Sequence, residues 1–132
     1  MAMQDYLPTS IRSSAILTTG YVAATIINDN ELKNQLVLLV DLTFDGSQTS
    51  ATLKIEFSND GTNYYQESYE NLGTISSVTA PFNCYQIEHV FLGTGKYRVP
   101  VAIKDRFVRV SIKGAGTLTA SLAKLDAITG VS

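Results

Sequence analysis

The sequence predicts an all-β protein: a single antiparallel β-sandwich, jelly-roll-like or immunoglobulin-like, with about eight or nine short strands behind an irregular N-terminal arm. Two observations carry that expectation. Apolar and polar residues alternate with period two, as in Leu53, Ile55 and Phe57 against Lys54 and Glu56, which is the spacing of a half-buried strand. Turn clusters separate these runs at short intervals, among them Asp45-Gly46, Asp60-Gly61, Gly93-Thr94-Gly95 and Lys104-Asp105, with no sustained helical period between them.

Residues 1 to about 10, broken by Pro8, form the expected arm, and residues 11–132 one sandwich domain. Ile11, Ala15 and Leu17 mark a weak first strand, and Tyr21 to Ile27 a second, rich in β-branched residues. Asn28-Asp29-Asn30-Glu31 is a turn cluster, followed by a short helical turn over Leu32 to Gln35. Leu36 to Phe44 is the best core strand, apolar on both faces at first and then alternating, with Asp41 and Thr43 outward. Asp45-Gly46-Ser47 turns the chain into Ala51 to Ser58, and Asp60-Gly61 turns it again into a second hairpin arm, Asn63 to Tyr69, because Asp-Gly adopts positive φ easily. Glu70 to Asn83 is a long polar loop, a length that in compact domains tends to accompany function or mobility.

Tyr85 to Phe91 alternates again. Tyr97 to Ile103 is a further strand, and Pro100 within it requires an edge or a bulge, since proline cannot donate to a ladder. Phe107 to Lys113 follows, with Val108, Val110 and Ile112 inward and Arg109 and Lys113 outward. Gly114-Ala115-Gly116 is expected to be a tight connection, with Leu118, Ala120 and Leu122 inward on the last strand and a bulge near Ala123-Lys124-Leu125.

A chain of 132 residues buries roughly two-thirds of its extended surface on folding, so its core needs no covalent staples. The single cysteine, Cys84, forms no intrachain disulfide and fits a protein made in a reducing cytoplasm. Ten basic against twelve acidic residues, a net charge of −2, give no electrostatic footprint for nucleic acid or an anionic membrane. The N-terminus lacks the basic and apolar regions of a signal peptide, and the apolar run Leu36 to Val40 is far too short to span a bilayer. Charged residues make up only 17%, below the usual quarter, which suits a surface that packs against neighbours.

Catalytic chemistry is sparse. The only histidine, His89, shares a strand face with Ile87 and Phe91 and is best explained as a packed or half-exposed strand residue. One His and one Cys leave no zinc site of the usual kind. Gly93-Thr94-Gly95-Lys96 lacks the glycine and the Ser/Thr that a phosphate loop requires, having Val90 and Tyr97 there, so a glycine hairpin is expected. Asp41, Glu56, Asp60, Glu67, Glu70, Glu88 and Asp126 mostly alternate outward as solvated strand carboxylates, with no assignable acid/base pair. Asn28 to Glu31 lacks the acidic spacing of a calcium loop. The expectation is a non-enzyme with no cofactor and no metal. The suggestive residues are tyrosines: Tyr64, Tyr65 and Tyr69 follow the Asp60-Gly61 turn, and with Asn63 and Asn83 they form a candidate interaction surface.

Ile55-Glu56-Phe57-Ser58-Asn59-Asp60-Gly61-Thr62-Asn63-Tyr64 resembles the strand, Ser-x-Asp-Gly-x-x-aromatic hairpin of small β-sandwich virion proteins in tailed bacteriophages. Tyr97 to Val110 is similar to their paired strand, short turn, aromatic-Val-Arg-Val element, and Gly114-Ala115-Gly116-Thr117-Leu118 precedes an alternating terminal strand. The resemblance covers about Leu36 to Ala127 in the same order. It implies a structural component of a phage particle made in the host cytoplasm: a capsid decoration or auxiliary protein, a head-fibre base, or a tail or neck accessory. Its expected partners are other virion proteins and further copies of itself, as a symmetric homo-oligomer. The alternative expectation is a carbohydrate-binding module using Tyr64 or Tyr65 with Asn63 and Asn83; a small hydrolase is a distant third.

Overall fold

The computed structural model describes residues 3–4, 7–28, 33–70 and 84–131. Twelve strand segments follow one another: β1 (Met3–Gln4), β2 (Thr9–Ile16), β3 (Val22–Ala23), β4 (Gln35–Thr43), β5 (Ser47–Ser58), β6 (Tyr65–Gln66), β7 (Ser68–Glu70), β8 (Cys84–Gln86), β9 (Glu88–Phe91), β10 (Gly95–Ala102), β11 (Phe107–Thr117) and β12 (Leu122–Val131). Every ladder is antiparallel, and no helix occurs among the described residues.

Several of these segments share one position in a sheet. β12 carries β4 on one side, while β2 and then β1 line the other: Gly130 pairs with both Gln35 and Gln4. β5 carries β11 on one side, while β6 and β9 succeed each other along the other, at Glu56–Phe57 and Ala51–Lys54. Among the described residues, and apart from the two-stranded β7–β8 ribbon, there are therefore eight strand positions in two sheets. The first runs β1/β2, β12, β4, β10; the second runs β3, β11, β5, β6/β9. Counted along the chain, the positions are ordered 1-8-3-6 and 2-7-4-5. That is jelly-roll order, two interlocked Greek keys, and it decides between the two sandwich topologies left open by the sequence.

One hydrophobic cluster draws on both sheets. Leu36, Leu38, Val40, Leu42, Ala123, Leu125 and Ala127 come from the first, and Ala51, Leu53, Ile55, Phe57, Val108, Val110 and Ile112 from the second. The period-two pattern of β5 and β11 lies on the predicted faces. The buried leucines each contribute about 1.5–3 kcal/mol relative to exposure. Among the described residues β10 pairs only with β4, so Pro100 sits on an edge strand as expected. The β2–β12 ladder shifts register between Ala123 and Leu125, where the bulge was expected.

Other expectations need correction. Gly114-Ala115-Gly116 is not a connection but the end of β11, still paired with β5 through a register shift between Ala115 and Gly116. The turn comes later, at residues 118–121, and resets the phase of the last strand. Ser121, Ala123, Leu125 and Ala127 face inward, while Leu118 and Leu122 are half-buried and Ala120 is exposed. The Ser121 hydroxyl fixes that phase by bonding the backbone of Asp45, accepting from its N–H at 3.1 Å and donating to its carbonyl at 3.3 Å. The expected strand from Tyr21 to Ile27 is reduced to β3 and a bridge from Ile27 to Val108, because this segment crosses between sheets. Ala24 N–H donates to Val110 in the second sheet, and Thr25 N–H to Ile11 in the first.

The arm is partly regular: Met3–Gln4 pair with Val131 and Gly130, and β2 begins at Thr9. Gln35 opens β4 rather than closing a helical turn. Leu32, most of the Asn28–Glu31 cluster and the 71–83 loop lie outside the described residues. Gly93 does not join a hairpin either, since β9 and β10 belong to different sheets and the connection crosses the sandwich.

Candidate functional site

The edge position shared by β6 and β9 is interrupted by an excursion. After Gln66 the chain leaves β5, β7 pairs with β8 with Tyr69 opposite Tyr85, and β9 then rejoins β5. The base is closed by Ile87 N–H donating to Glu67 O at 2.9 Å and by Gln66 Nε2 donating to Ile87 O at 3.0 Å.

The loop that enters this edge is organised by one carboxylate. Asp60 Oδ1 accepts from Thr62 N–H and Asn63 N–H, each at 2.8 Å, and from Ser58 Oγ at 2.9 Å; Oδ2 accepts from Asn63 Nδ2 at 2.8 Å. Gly61, at φ 76°, faces the Phe107 ring, which a Cβ there would meet at 3.3 Å. The expected tight hairpin is thus a longer loop. Pairing resumes only at Phe57–Tyr65, because side-chain acceptors replace the ladder between them.

These bonds hold the Asp60 carboxyl well below the usual aspartate range, the backbone N–H groups of Asn63 and Thr62 contributing most. A group whose folded pKa is depressed stabilises the fold above its unfolded pKa, about 3.9, and that contribution fades as pH falls below it. Urea midpoints at about pH 6 and pH 3 are therefore expected to drop more in the native protein than in Asp60→Asn, which lacks the charge.

On the outer face of the second sheet, β5 and β11 set Glu56 opposite Arg109. Arg109 Nε and Nη2 donate to the two Glu56 oxygens at 3.1 Å each, a bidentate pair. The guanidinium carbon lies 4.2 Å from the centroid of the Tyr64 ring. Lys54 Nζ stands 3.8 Å from Glu56 Oε1 and 4.3 Å from the Tyr21 ring centroid, with Lys113 Nζ 4.6 Å from that same ring. Burial, then the neighbouring Glu88 and Glu56 carboxylates, push the Tyr21 phenol up to about 12. Glu56 is only 8% exposed. Arg109→Ala would leave it facing Lys54 alone, and the expected loss is about 1–3 kcal/mol, less than for a fully buried pair because Arg109 is partly solvated. Chemical denaturation of R109A beside R109K measures it. Lysine keeps the charge without the fork, so it should recover only part of the loss.

Of the residues singled out from sequence, the structure brings together Asn63, Tyr64 and Tyr65. Asn63 is committed to Asp60, Tyr64 is half-buried under Arg109, and Tyr65, opposite Phe57, is 72% exposed. Tyr69 stands on β7, a separate ribbon, and Asn83 lies outside the described residues. Arg109, Glu56, Lys54 and Tyr21 were not singled out as a group. The outward alternation of Arg109, Glu56 and Lys54 is legible in the sequence, but which strands are neighbours is not. His89 is half-buried opposite Leu53, a strand histidine as expected. No group of three potential metal ligands occurs among the described residues.

At the opposite end, three loops are pinned together. Thr119 Oγ1 donates to Asp45 Oδ2 at 3.0 Å, Ser121 bonds the Asp45 backbone, and Phe44 N–H donates to Thr94 Oγ1 at 2.9 Å. Leu17 N–H joins them through Ser121 O at 2.8 Å. This ordered end carries exposed apolar side chains: Ile16, Val90 and, 78% exposed, Leu92.

Comparison with protein-family models, with curated proteins and with solved structures found no significant match to this chain.

Proposed function

We propose that this protein is a non-enzymatic structural component of a bacteriophage particle, associated with the capsid or serving as a neck or tail accessory, and that it works through protein–protein contacts. The observation that carries the reading is the jelly-roll strand order, an architecture used by viral capsid domains and by lectins. Architecture alone does not assign function; here it joins the resemblance of the sequence to small phage virion proteins and a contact surface of suitable character. Ile16 and Leu92 project from an end held by the Asp45, Thr94 and Ser121 hydrogen bonds, so little side-chain or loop ordering would oppose docking there. The partners in this reading are other virion proteins and further copies of the chain.

Add-back tests it. Purified protein mixed with particles lacking it is expected to bind saturably, and Leu92→Glu to bind at least about tenfold more weakly while folding normally. Absence of saturable binding by the native chain would count against the proposal. A glycan-binding reading is favoured by one observation, the exposed Tyr65 side chain two residues after Asn63. Glycan-array binding that disappears in Tyr65→Ala would select it instead.

A further inference from the structure

Two Asp-Gly pairs occupy loops of this molecule, and they are held in opposite ways. At Asp45-Gly46 the carboxylate leans over its own following amide: Gly46 N–H donates to Asp45 Oδ1 at 2.8 Å, while Thr119 Oγ1 donates to Oδ2. At Asp60-Gly61 the Gly61 N–H turns away, to Ser58 Oγ at 2.9 Å. The Asp60 oxygens are taken by Thr62, Asn63 and Ser58. Both aspartates are exposed, so access of water does not distinguish them.

We infer that Asp45 is a site of spontaneous backbone modification, cyclising with Gly46 to a succinimide that reopens largely as isoaspartate, whereas Asp60 is protected by the fold. The Gly46 nitrogen attacks Asp45 Cγ, and a C–N bond forms as the amide loses its proton. One Cγ–O bond of the protonated carboxyl breaks, and that oxygen leaves as water. Water then adds to either imide carbonyl. Opening at the side-chain carbonyl restores aspartate; opening at the main-chain carbonyl routes the backbone through Cβ and Cγ. One water leaves and one returns, with no oxidant or reductant and no net change of mass.

In both pairs glycine offers no Cβ to hinder the closing ring, and two features favour Asp45. The Gly46 nitrogen lies 2.8 Å from Asp45 Oδ1, so nucleophile and carboxyl group start as neighbours. The Thr119 hydroxyl donates to Oδ2, the carboxyl oxygen that Gly46 does not engage and the one placed to leave. Asp60 must first release its carboxylate from several charge-assisted hydrogen bonds, and each one lost slows the reaction by about tenfold. Those bonds also hold Asp60 ionised, whereas the leaving oxygen requires the acid form. Conversion of Asp45 would insert a backbone carbon where loops 44–46 and 119–121 meet and undo their hydrogen bonds. The inference itself is independent of the proposed function.

The test uses the folded full chain, aged at physiological temperature and neutral pH. Trypsin cleaves after Lys33, Lys54 and Lys96, placing the two sites on separate peptides, 34–54 and 55–96. Electron-transfer fragmentation then distinguishes isoaspartate from aspartate at each site. The expected result is isoaspartate at position 45 accumulating at least about tenfold faster than at position 60, with the difference collapsing when the chain is aged in denaturant. Equal rates in the folded protein, no isoaspartate at position 45, or a ratio that persists in denaturant would overturn the inference.

Discussion

Gly116→Ala is expected to destabilise the protein by about 3 kcal/mol, lowering the thermal midpoint by roughly 10 °C. Gly116 has φ +91° and occupies the register shift where β11 opposes the start of β5. A Cβ there would clash with Ser47 O and stand 2.9 Å from Thr49 N, both backbone atoms that no side-chain rotation can move aside. Positive φ alone costs a residue with a Cβ about 1–2 kcal/mol, and displacing the partner strand adds an overpacking cost of about 1–3 kcal/mol. Gly20 and Gly93 provide the control. Neither has positive φ, and a Cβ at either meets nothing within 4 Å, so G20A and G93A should unfold within about 0.5 kcal/mol of the parent. Thermal unfolding of the three variants decides the matter; a G116A protein as stable as G93A would contradict the bulge geometry.

Leu53→Ala should cost about 2–5 kcal/mol, the range for truncating a buried leucine without full collapse of the site. Leu53 is 0% exposed at the centre of β5, with Ile112 opposite it on one side and His89 on the other. Relaxation is restricted there because the side chain lies between two sheets whose spacing many other residues fix. Leu92→Ala removes the same atoms from a residue 78% exposed and should change stability by no more than about 0.5 kcal/mol. Urea unfolding of the pair separates a core leucine from a surface one. Leu92→Glu unfolded in the same series should match the parent within about 0.5 kcal/mol, which separates a binding defect in that variant from a folding defect.

The contrast between these leucines shows what the sequence made legible. Leu53, Ile55 and Phe57 announced an inward face because alternation is a local property of a strand, and the structure places them there. Pro100 announced an edge for an equally local reason, its missing N–H. Leu92 carried no such signal: its exposure arises because the chain after Phe91 crosses from one sheet to the other. The same holds for Arg109 and Glu56, which are separated by 53 positions and meet only because β11 lies beside β5. The phase of β12 differs from the expected one because a buried hydroxyl, Ser121 on the Asp45 backbone, resets the alternation. Polar residues in such roles are indistinguishable from loop serines in sequence. The Asp60-Gly61 turn was recognisable as a turn, yet its length was set by the hydrogen bonds of one carboxylate rather than by the dipeptide.

The functional account rests on incorporation of this chain into a phage particle. The direct measurement is quantitative mass spectrometry of density-purified phage particles from cultures in which this chain is expressed. The account predicts peptides from this chain in those particles at a fixed ratio to the major capsid protein, retained after repeated banding. Particles that are intact and infectious but contain none of the chain would contradict it.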